Sequence, residues 1–539
     1  MNLRNLFRKS LLGIVMLTLV NLSTAFAAVD SPESAAPTHK VVITENGPVR
    51  GFKTPAASAF LGIPYAAAPV GELRWQPPQP HARWTTPLDA TAFGNACAQT
   101  AGILNAGSDA EDCLFLNVFA PGAEEHEDEE GRAVMVFIHG GGLTTGESNS
   151  YDPTKLVEDG GVIVVTINYR LGILGFLTHP ALTAESSNHA SGNYGLMDQQ
   201  FALKWVRRNI ARFGGNPYNV TIFGESAGGL SVHANLASPT AAGLFRKAIA
   251  ESGAYSLAQP TLAVAEGLGT AVASLAGCTS QTAACLRGLP VSTILTIQTV
   301  VAGGGIVPTV DGQVLTQSVG AAFASGQFNH VPVIEGSNHD EWRLFVGINE
   351  IVTGKVLAAG DYIPEIQATL GISDPAVATF IATSIYPLAA YPPASTAPSI
   401  ARGAVSTDAI IACNTRLVSR FLAAYVPTYE YEFNDHTAPI PAGYNVSFPT
   451  GAYHSAELQY LFGPASLGLP GLSADQNELS DAMVRYWTRF ARTGNPNSVS
   501  VPAWPAYSPS DQFQSLELLT PVTKTTFAAD HKCRFWGTP

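Results

Sequence analysis

The chain has 539 residues, 46% of them hydrophobic and 13% charged, which is ample material for a large buried core and excludes a disordered or low-complexity polymer. Its formal net charge of −13 leaves no basic excess for nucleic acid to recognise. No repeat, charge block or Ser/Gly-rich linker divides it, so a single folded domain over residues 28–539 is expected.

The first 27 residues have a different character. Arg4, Arg8 and Lys9 precede the apolar run Leu11 to Val20, and Ala25-Phe26-Ala27 supplies small residues ahead of Ala28. This is the pattern of a secretory signal peptide cleaved after Ala27. The apolar run is too short to cross a bilayer as a helix and nothing later exceeds it, so no membrane span is expected after cleavage. Losing three basic and no acidic residues takes the net charge from −13 to −16. A secreted or periplasmic chain with six cysteines favours three disulfides. Six cysteines allow fifteen connectivities, and spacing cannot choose among them. Sequential pairing is the simplest: Cys97 with Cys113, Cys278 with Cys285, Cys413 with Cys533. None has zinc-ligand spacing.

Val41-Val42-Ile43 and the turn at Gly47-Pro48 predict an entry hairpin, and Gly62 to Pro78 reads as a proline-punctuated wrap with no helix. The acidic run Glu124 to Glu130 reads as a solvated loop. Val134 to Ile138 and Val162 to Ile167 are continuous β-rich apolar runs, as expected of strands covered on both faces in a mostly parallel sheet. Asp198 to Phe213 predicts a helix, with Leu203, Val206, Ile210 and Phe213 on one face and Gly214 as its stop. Further strands are predicted at Ala248 to Ser252, Val331 to Ile334 and Tyr429 to Phe433, and Tyr386 to Pro398 reads as an irregular surface excursion.

Chemistry enters at Val220 to Val232. Strand formers run into Gly224-Glu225-Ser226-Ala227-Gly228 and a helix-compatible stretch follows, which puts Ser226 on a sharp strand-to-helix turn with its hydroxyl exposed. A Cβ at Gly224 or Gly228 would crowd the neighbouring strand and helix. With 50 glycines the pentapeptide alone would arise by chance in roughly one such chain in three, so the flanking pattern carries the assignment. Strand–helix repetition around such a turn is the order of an α/β-hydrolase, a large mostly parallel central sheet flanked by helices.

A serine hydroxyl attacks only when a neutral histidine accepts its proton and an acid orients that histidine. In this fold both lie later in the chain, acid before histidine. Of twelve histidines, His436, His454 and His531 fit that order. Glu251, Glu266, Asp311, Glu335, Asp340 and Glu341 are the candidate acids, with Asp340 and Glu341 favoured by their place just past a strand's carboxyl end. His139-Gly140-Gly141-Gly142 follows the strand ending at Ile138, and successive glycines let backbone N–H groups approach an oxyanion. No Lys-Ser/Thr follows, so it is no P-loop. His139, inside that turn and ahead of the serine, is expected to be structural.

Taken together, Gly62-Ile-Pro-Tyr65, Glu111 to Val118, His139 to Gly142, Asn168-Tyr-Arg-Leu-Gly172, Gly192 to Asp198 and Phe223 to Gly229 make the chain resemble a type-B carboxylesterase, the family of cholinesterases and fungal lipases. The resemblance implies that Ser226 is the nucleophile, Glu341 the acid and His454 the base, with Gly141, Gly142 and Ala227 as oxyanion donors. It also supports the sequential disulfides and implies that Glu225 and Glu457 are acids beside the histidine, linked to it through water. It implies neither metal nor cofactor. The chain departs from cholinesterases in the loop Ala98 to Asp112, which lacks an aromatic, and at Leu143 and Leu344, where those enzymes carry gorge aromatics. A wider aliphatic pocket is expected. Fifteen residues between Cys97 and Cys113 leave little chain for an interfacial lid. The expected function is hydrolysis of a small-molecule carboxylic ester outside the cytoplasm. A lipase and an amide or carbamate hydrolase using the same triad are the alternatives, and a binding module without activity stands against the presence of all three triad positions.

Overall fold

The structure, a computed structural model, describes residues 38–54, 57–102, 105–122, 130–301 and 306–537. The predicted signal peptide and all but the end of the acidic run Glu124 to Glu130 lie outside the described residues. Pro37–Pro539 forms one compact unit, and among the described residues no helix is long and apolar enough to cross a membrane.

Its frame is one sheet. In chain order the strands are β1 (Thr38–Ile43), β2 (Pro48–Lys53), β3 (Ala57–Pro64), β4 (Leu88–Asp89), β5 (Phe115–Pro121), β6 (Arg132–Ile138), β7 (Ile163–Ile167), β8 (Gly215–Glu225), β9 (Lys247–Glu251), β10 (Val333–Asn338), β11 (Thr428–Phe433), β12 (Phe513–Leu516) and β13 (Val522–Lys524). They lie in the order β1-β2-β3-β5-β7-β6-β8-β9-β10-β11-β12-β13, with β4 beside β2. The stretch from β7 to β12 is parallel throughout, and the two margins are antiparallel except that β4 runs parallel to β2. This is the α/β-hydrolase sheet.

Why the central strands are apolar without alternation is plain in β6. Val134, Val136 and Ile138 enter one core together with Leu203, Val206, Ile210 and Phe213 of the segment predicted to be helical. Ala133, Met135 and Phe137 enter another on the opposite face, with Met483, Trp487 and Phe490. Each face is roofed by a helix, Tyr194–Asn209 on the first and Ala474–Thr493 on the second. The first helix tightens into a 3₁₀ turn at Ile210–Phe213 and stops at Gly214, whose φ of 88° requires glycine.

Two expectations need adjustment. Gly62 to Pro64 is the end of β3, where Ile63 and Pro64 pair with β5, so the wrap begins only after it, and within the wrap Gly71–Leu73 forms one 3₁₀ turn. Tyr386 to Pro398 is an excursion pinned at its ends: Ala389, Ala390 and Pro392 to Ser395 are exposed, whereas Tyr386 is fully buried and donates to Asp408 Oδ2 at 2.7 Å, Trp536 Nε1 donates to its hydroxyl at 2.8 Å, and Ala397 opens a helix to Ser406. Its proline content marks turns between packed anchors, which composition alone cannot distinguish from a loop.

Cys97–Cys113, Cys278–Cys285 and Cys413–Cys533 are bonded. The third joins positions 120 residues apart; constraining a loop of that size removes denatured-state entropy worth about 5 kcal/mol at most, since denatured-state structure reduces the effect. We therefore expect Cys533→Ser to lower the thermal unfolding midpoint while leaving room-temperature ester turnover within about twofold, as measured by calorimetry and a standard assay. Loss of turnover in proportion to the loss of stability would contradict this.

Candidate active site

The parallel strands deliver four segments to one end of the sheet. β8 ends at Glu225 and the helix Ala227–Ala237 begins at once, leaving Ser226 between them at φ 57°, ψ −120°. A serine costs energy in that conformation and keeps it only where its surroundings dictate it. Here they do. Ser226 N–H donates to the Glu251 carbonyl of adjacent β9 at 2.8 Å, and Leu230 N–H donates to the Ser226 carbonyl at 2.8 Å. A Cβ on Gly224 would lie 2.6 Å from the Ile138 carbonyl oxygen, and one on Gly228 would overlap the same oxygen. Both glycines are therefore fixed by the close approach of β6.

Ile138 continues into the glycine turn. His139 is buried, its ring stacked on Tyr169 with centroids 4.5 Å apart, and Tyr169 donates to its carbonyl at 2.8 Å. Burial depresses its pKa to about 4, so the ring is neutral and structural, as expected from sequence. A Cβ on Gly140 would come 3.1 Å from Ser226 Cβ, which is how near this turn runs to the serine. Gly141 (φ 99°) and Gly142 (φ 63°) are exposed and left-handed. Such a backbone can aim consecutive N–H groups at one point above Ser226, beside that of Ala227 at the helix start.

The third segment follows β10. The Glu341 carboxylate is wholly buried, with Oε1 accepting from Ser252 Oγ at 2.6 Å and Asn338 N–H at 2.7 Å. Its other oxygen accepts from His454 Nδ1 at 2.5 Å. His454 lies in the fourth segment, the loop beyond β11, and that loop is stitched to the third: Asp340 N–H donates to the Ala452 carbonyl at 2.9 Å and His454 N–H to the Glu341 carbonyl at 3.2 Å. His454 Nε2 stands 3.2 Å from Glu225 Oε1, within ion-pair distance, and so faces the serine turn. Burial opposes a charge on this imidazole, but Glu225 and Glu341 outweigh it and lift the pKa to about 9.

Three further carboxyls crowd the same interior. Glu225 is pushed up to about 7, chiefly by burial. Glu251, up to about 8 for the same reason, accepts from Trp487 Nε1 at 2.6 Å. Glu457 is raised well above the usual range by burial and by Glu225, Glu251 and Glu341, and Asn338 donates to it. Several negative charges are costly in so small a dry volume, so these carboxyls give up their protons less readily than ordinary ones, and Glu225, at about 7, stays partly ionised beside His454.

Four of the remaining candidates are engaged elsewhere, and Glu266 lies on the helix Leu262–Leu275. His436 pairs with Asp340, His531 with Asp408 and Glu432, Glu335 with His233, and Asp311 with Asn193. An aromatic stands beside the imidazole where aliphatic side chains alone were expected. Leu143 is fully buried in the core and Leu344 nearly so, whereas the half-buried ring of Phe345 packs against His454 at 5.1 Å and against Trp342 at 4.6 Å. Neither aromatic was singled out from sequence; their place one and four residues past Glu341, at the start of the helix Arg343–Thr353, was the available signal.

Comparison with known proteins places the site in context. The carboxylesterase family model matches residues 38–536. Among relatives, the para-nitrobenzyl esterase of Bacillus subtilis is 35% identical over 87% of this chain and 93% of its own, and an acylcarnitine hydrolase of Mus musculus is 34% identical over 94% and 91%. The solved structure of a thermophilic PNB esterase superposes with a TM-score of 0.77 at 31% identity, covering 93% of this chain and all of that one.

Proposed function

The chain belongs to the carboxylesterase family and is a carboxylic ester hydrolase; from that premise we propose that it is an exported serine esterase, working on small neutral esters through an acyl-enzyme on Ser226. Support for export is the signal-like segment of residues 1–27 together with three disulfides, which persist in oxidising compartments. The observation that carries the catalytic reading is the buried Glu341–His454 hydrogen bond on a ring whose other nitrogen faces the strained Ser226 turn.

In this reading His454 Nε2 accepts the Ser226 proton as Oγ adds to the ester carbonyl, and Glu341 holds the ring and stabilises the imidazolium. The N–H groups of Gly141, Gly142 and Ala227 bind the oxyanion; one such donor is worth about 2.7–4 kcal/mol. His454 then passes the proton to the leaving alkoxide, and water activated by the same nitrogen hydrolyses the acyl-enzyme. Glu225 and Glu457 tune the charge on the ring from beside it and form no bond to substrate. All of these groups belong to one compact domain extending over residues 28–539, once residues 1–27 are removed.

Turnover needs the neutral ring, and a folded pKa lifted to about 9 makes the neutral fraction grow with pH across the range above 6.5. The kcat/KM profile should therefore rise to an alkaline plateau, and Glu225→Gln, which removes one of the two charges that raise the pKa, should move the midpoint to lower pH by about one unit or more. His454→Gln should abolish the limb and nearly all activity, whereas His531→Gln should keep both if the protein folds. A midpoint unmoved in Glu225→Gln would refute this electrostatic account.

Substrate class rests on two observations. The loop from Ala98 to Asp112 has no aromatic to hold a quaternary ammonium, and the Phe345 ring is already packed on His454. A desolvated cation–π contact is worth about 2 kcal/mol or more, so without one a cationic ester gains no advantage of tenfold or greater. In parallel assays an aryl butyrate should be hydrolysed with kcat/KM at least equal to that for butyrylcholine. Emulsified long-chain triglyceride should show no jump in rate at its solubility limit, and amides and carbamates should be slower than the matched ester. Preference for the choline ester, or interfacial activation, would replace the neutral-ester reading with a cholinesterase-like or lipase reading.

A further inference from the structure

Three imidazoles that the reaction does not use gather around the segment that follows β10. His339 follows β10, His436 follows β11, and His531 belongs to the C-terminal segment. The His339 ring centroid is 5.0 Å from that of His436 and 5.2 Å from that of His531. His531 is clamped at both nitrogens, Nδ1 to Asp408 Oδ1 at 2.7 Å and Nε2 to Glu432 Oε1 at 2.5 Å. With burial outweighed by those two carboxylates its pKa is raised well above the usual value, so it is a structural imidazolium with no nitrogen to spare.

His339 and His436 are placed differently. Both turn Nδ1 to the one carboxylate of Asp340, at 3.2 Å from Oδ1 and 2.7 Å from Oδ2 respectively. Asp340 itself is buried and fixed, accepting from Ala452 N–H at 3.0 Å and pairing with Arg343 at 2.8 Å. The His436 side chain is 52% exposed, which opens the group to solvent. One ligand atom from each of His339, Asp340 and His436 lies within 4.8 Å of the others.

We propose that His339, Asp340 and His436 form a binding site for a divalent transition-metal ion of the zinc class, separate from the catalytic machinery. Two imidazoles and a carboxylate are a common three-ligand set for Zn²⁺, with water completing the tetrahedron. Bonds of about 2.0–2.1 Å give a tetrahedral edge of about 3.3 Å, so His436 Nδ1, 2.7 Å from Oδ2, must draw back by about half an ångström and His339 Nδ1, now 3.2 Å from Oδ1, must turn toward Oδ2. An exposed side chain can supply that movement. Each ring must present an unprotonated Nδ1 to the ion and carry its one proton on Nε2, so only the neutral imidazoles bind and protonation at low pH competes with the metal. Arg343 beside Oδ1 opposes a second cation, which leaves Oδ2 as the ligating oxygen and makes the affinity moderate. Calcium and magnesium prefer oxygen ligands and are excluded by the imidazole pair.

The consequence is local. Asp340 holds the backbone at Ala452, two residues before His454, and a bound ion would tie β10, β11 and that loop to a single centre without touching Ser226, Glu341 or His454. Its expected signature is therefore greater thermal stability.

The test uses the full mature chain, stripped with a chelator and titrated with zinc chloride by calorimetry, alongside thermal unfolding in the presence and absence of zinc. The expected result is one zinc per chain and a zinc-dependent rise in the unfolding midpoint. In His436→Gln and His339→Gln the affinity should fall at least about tenfold and the rise should vanish. In His81→Gln, at a histidine on the surface, both should persist, and magnesium should do nothing. Because His436 is half exposed, its variant should fold even if the His339 variant does not, and it decides the matter alone. No uptake by the wild type, or uptake unchanged in His436→Gln, would overturn the proposal. Neither result bears on the esterase reading, which involves none of these three residues.

Discussion

The site depends on one buried hydrogen bond, Glu341 to His454 at 2.5 Å. Its cost is the desolvation of a carboxylate and an imidazole in an interior that also contains Glu225, Glu251 and Glu457. The structure meets that cost by satisfying Glu341 from three directions, through Ser252, Asn338 and His454, and by neighbours whose charge burial suppresses, since it raises their pKa values. If Ser252 or Asn338 were rearranged, the Glu341 charge would lose the donors that hold it in place, and the ring of His454 would lose its orientation. The site is thus a problem in arranging negative charge as much as in placing a serine.

The sheet solves the placement. Strands β6, β8 and β10, parallel and close neighbours, end at one edge with the glycine turn, Ser226 and Glu341, and β11 leads to the loop of His454. Gly224 and Gly228 allow β6 to pass against the serine turn, and the Glu251 carbonyl of β9 holds the Ser226 amide. Backbone strain at Ser226 persists because these contacts belong to the core of the sheet, whose strands are buried on both faces and cannot yield cheaply.

Much of this was legible before the structure. β6 and β7 announced themselves as unbroken apolar runs because both their faces are covered, and the helix over β6 through its spacing of three and four. Short or polar strands such as β4, β12 and β13 left no such trace, since their pairing is set by neighbours remote in sequence. The choice between Asp340 and Glu341 was beyond periodicity. The two are adjacent and of like chemistry, yet their side chains point to different histidines, Asp340 to His339 and His436 and Glu341 to His454. Only family resemblance separated them. Phe345 was missed for a related reason: it lies four residues past Glu341, and only the helix that begins at Arg343 turns its ring onto the imidazole. The composition of Tyr386 to Pro398 marked its exposed turns but not its buried end at Tyr386, because the anchors, Asp408 and Trp536, are distant in the chain.

The central claim is that His454, held by Glu341, activates Ser226. The most direct measurement is covalent trapping with a fluorinated phosphonate ester, followed by peptide mass spectrometry and the rate of adduct formation. The account predicts a single adduct on Ser226 in the wild type, with labelling slowed by at least about a thousandfold in His454→Gln and strongly in Glu341→Gln. Rapid labelling at another serine, or an undiminished rate on Ser226 without His454, would contradict it.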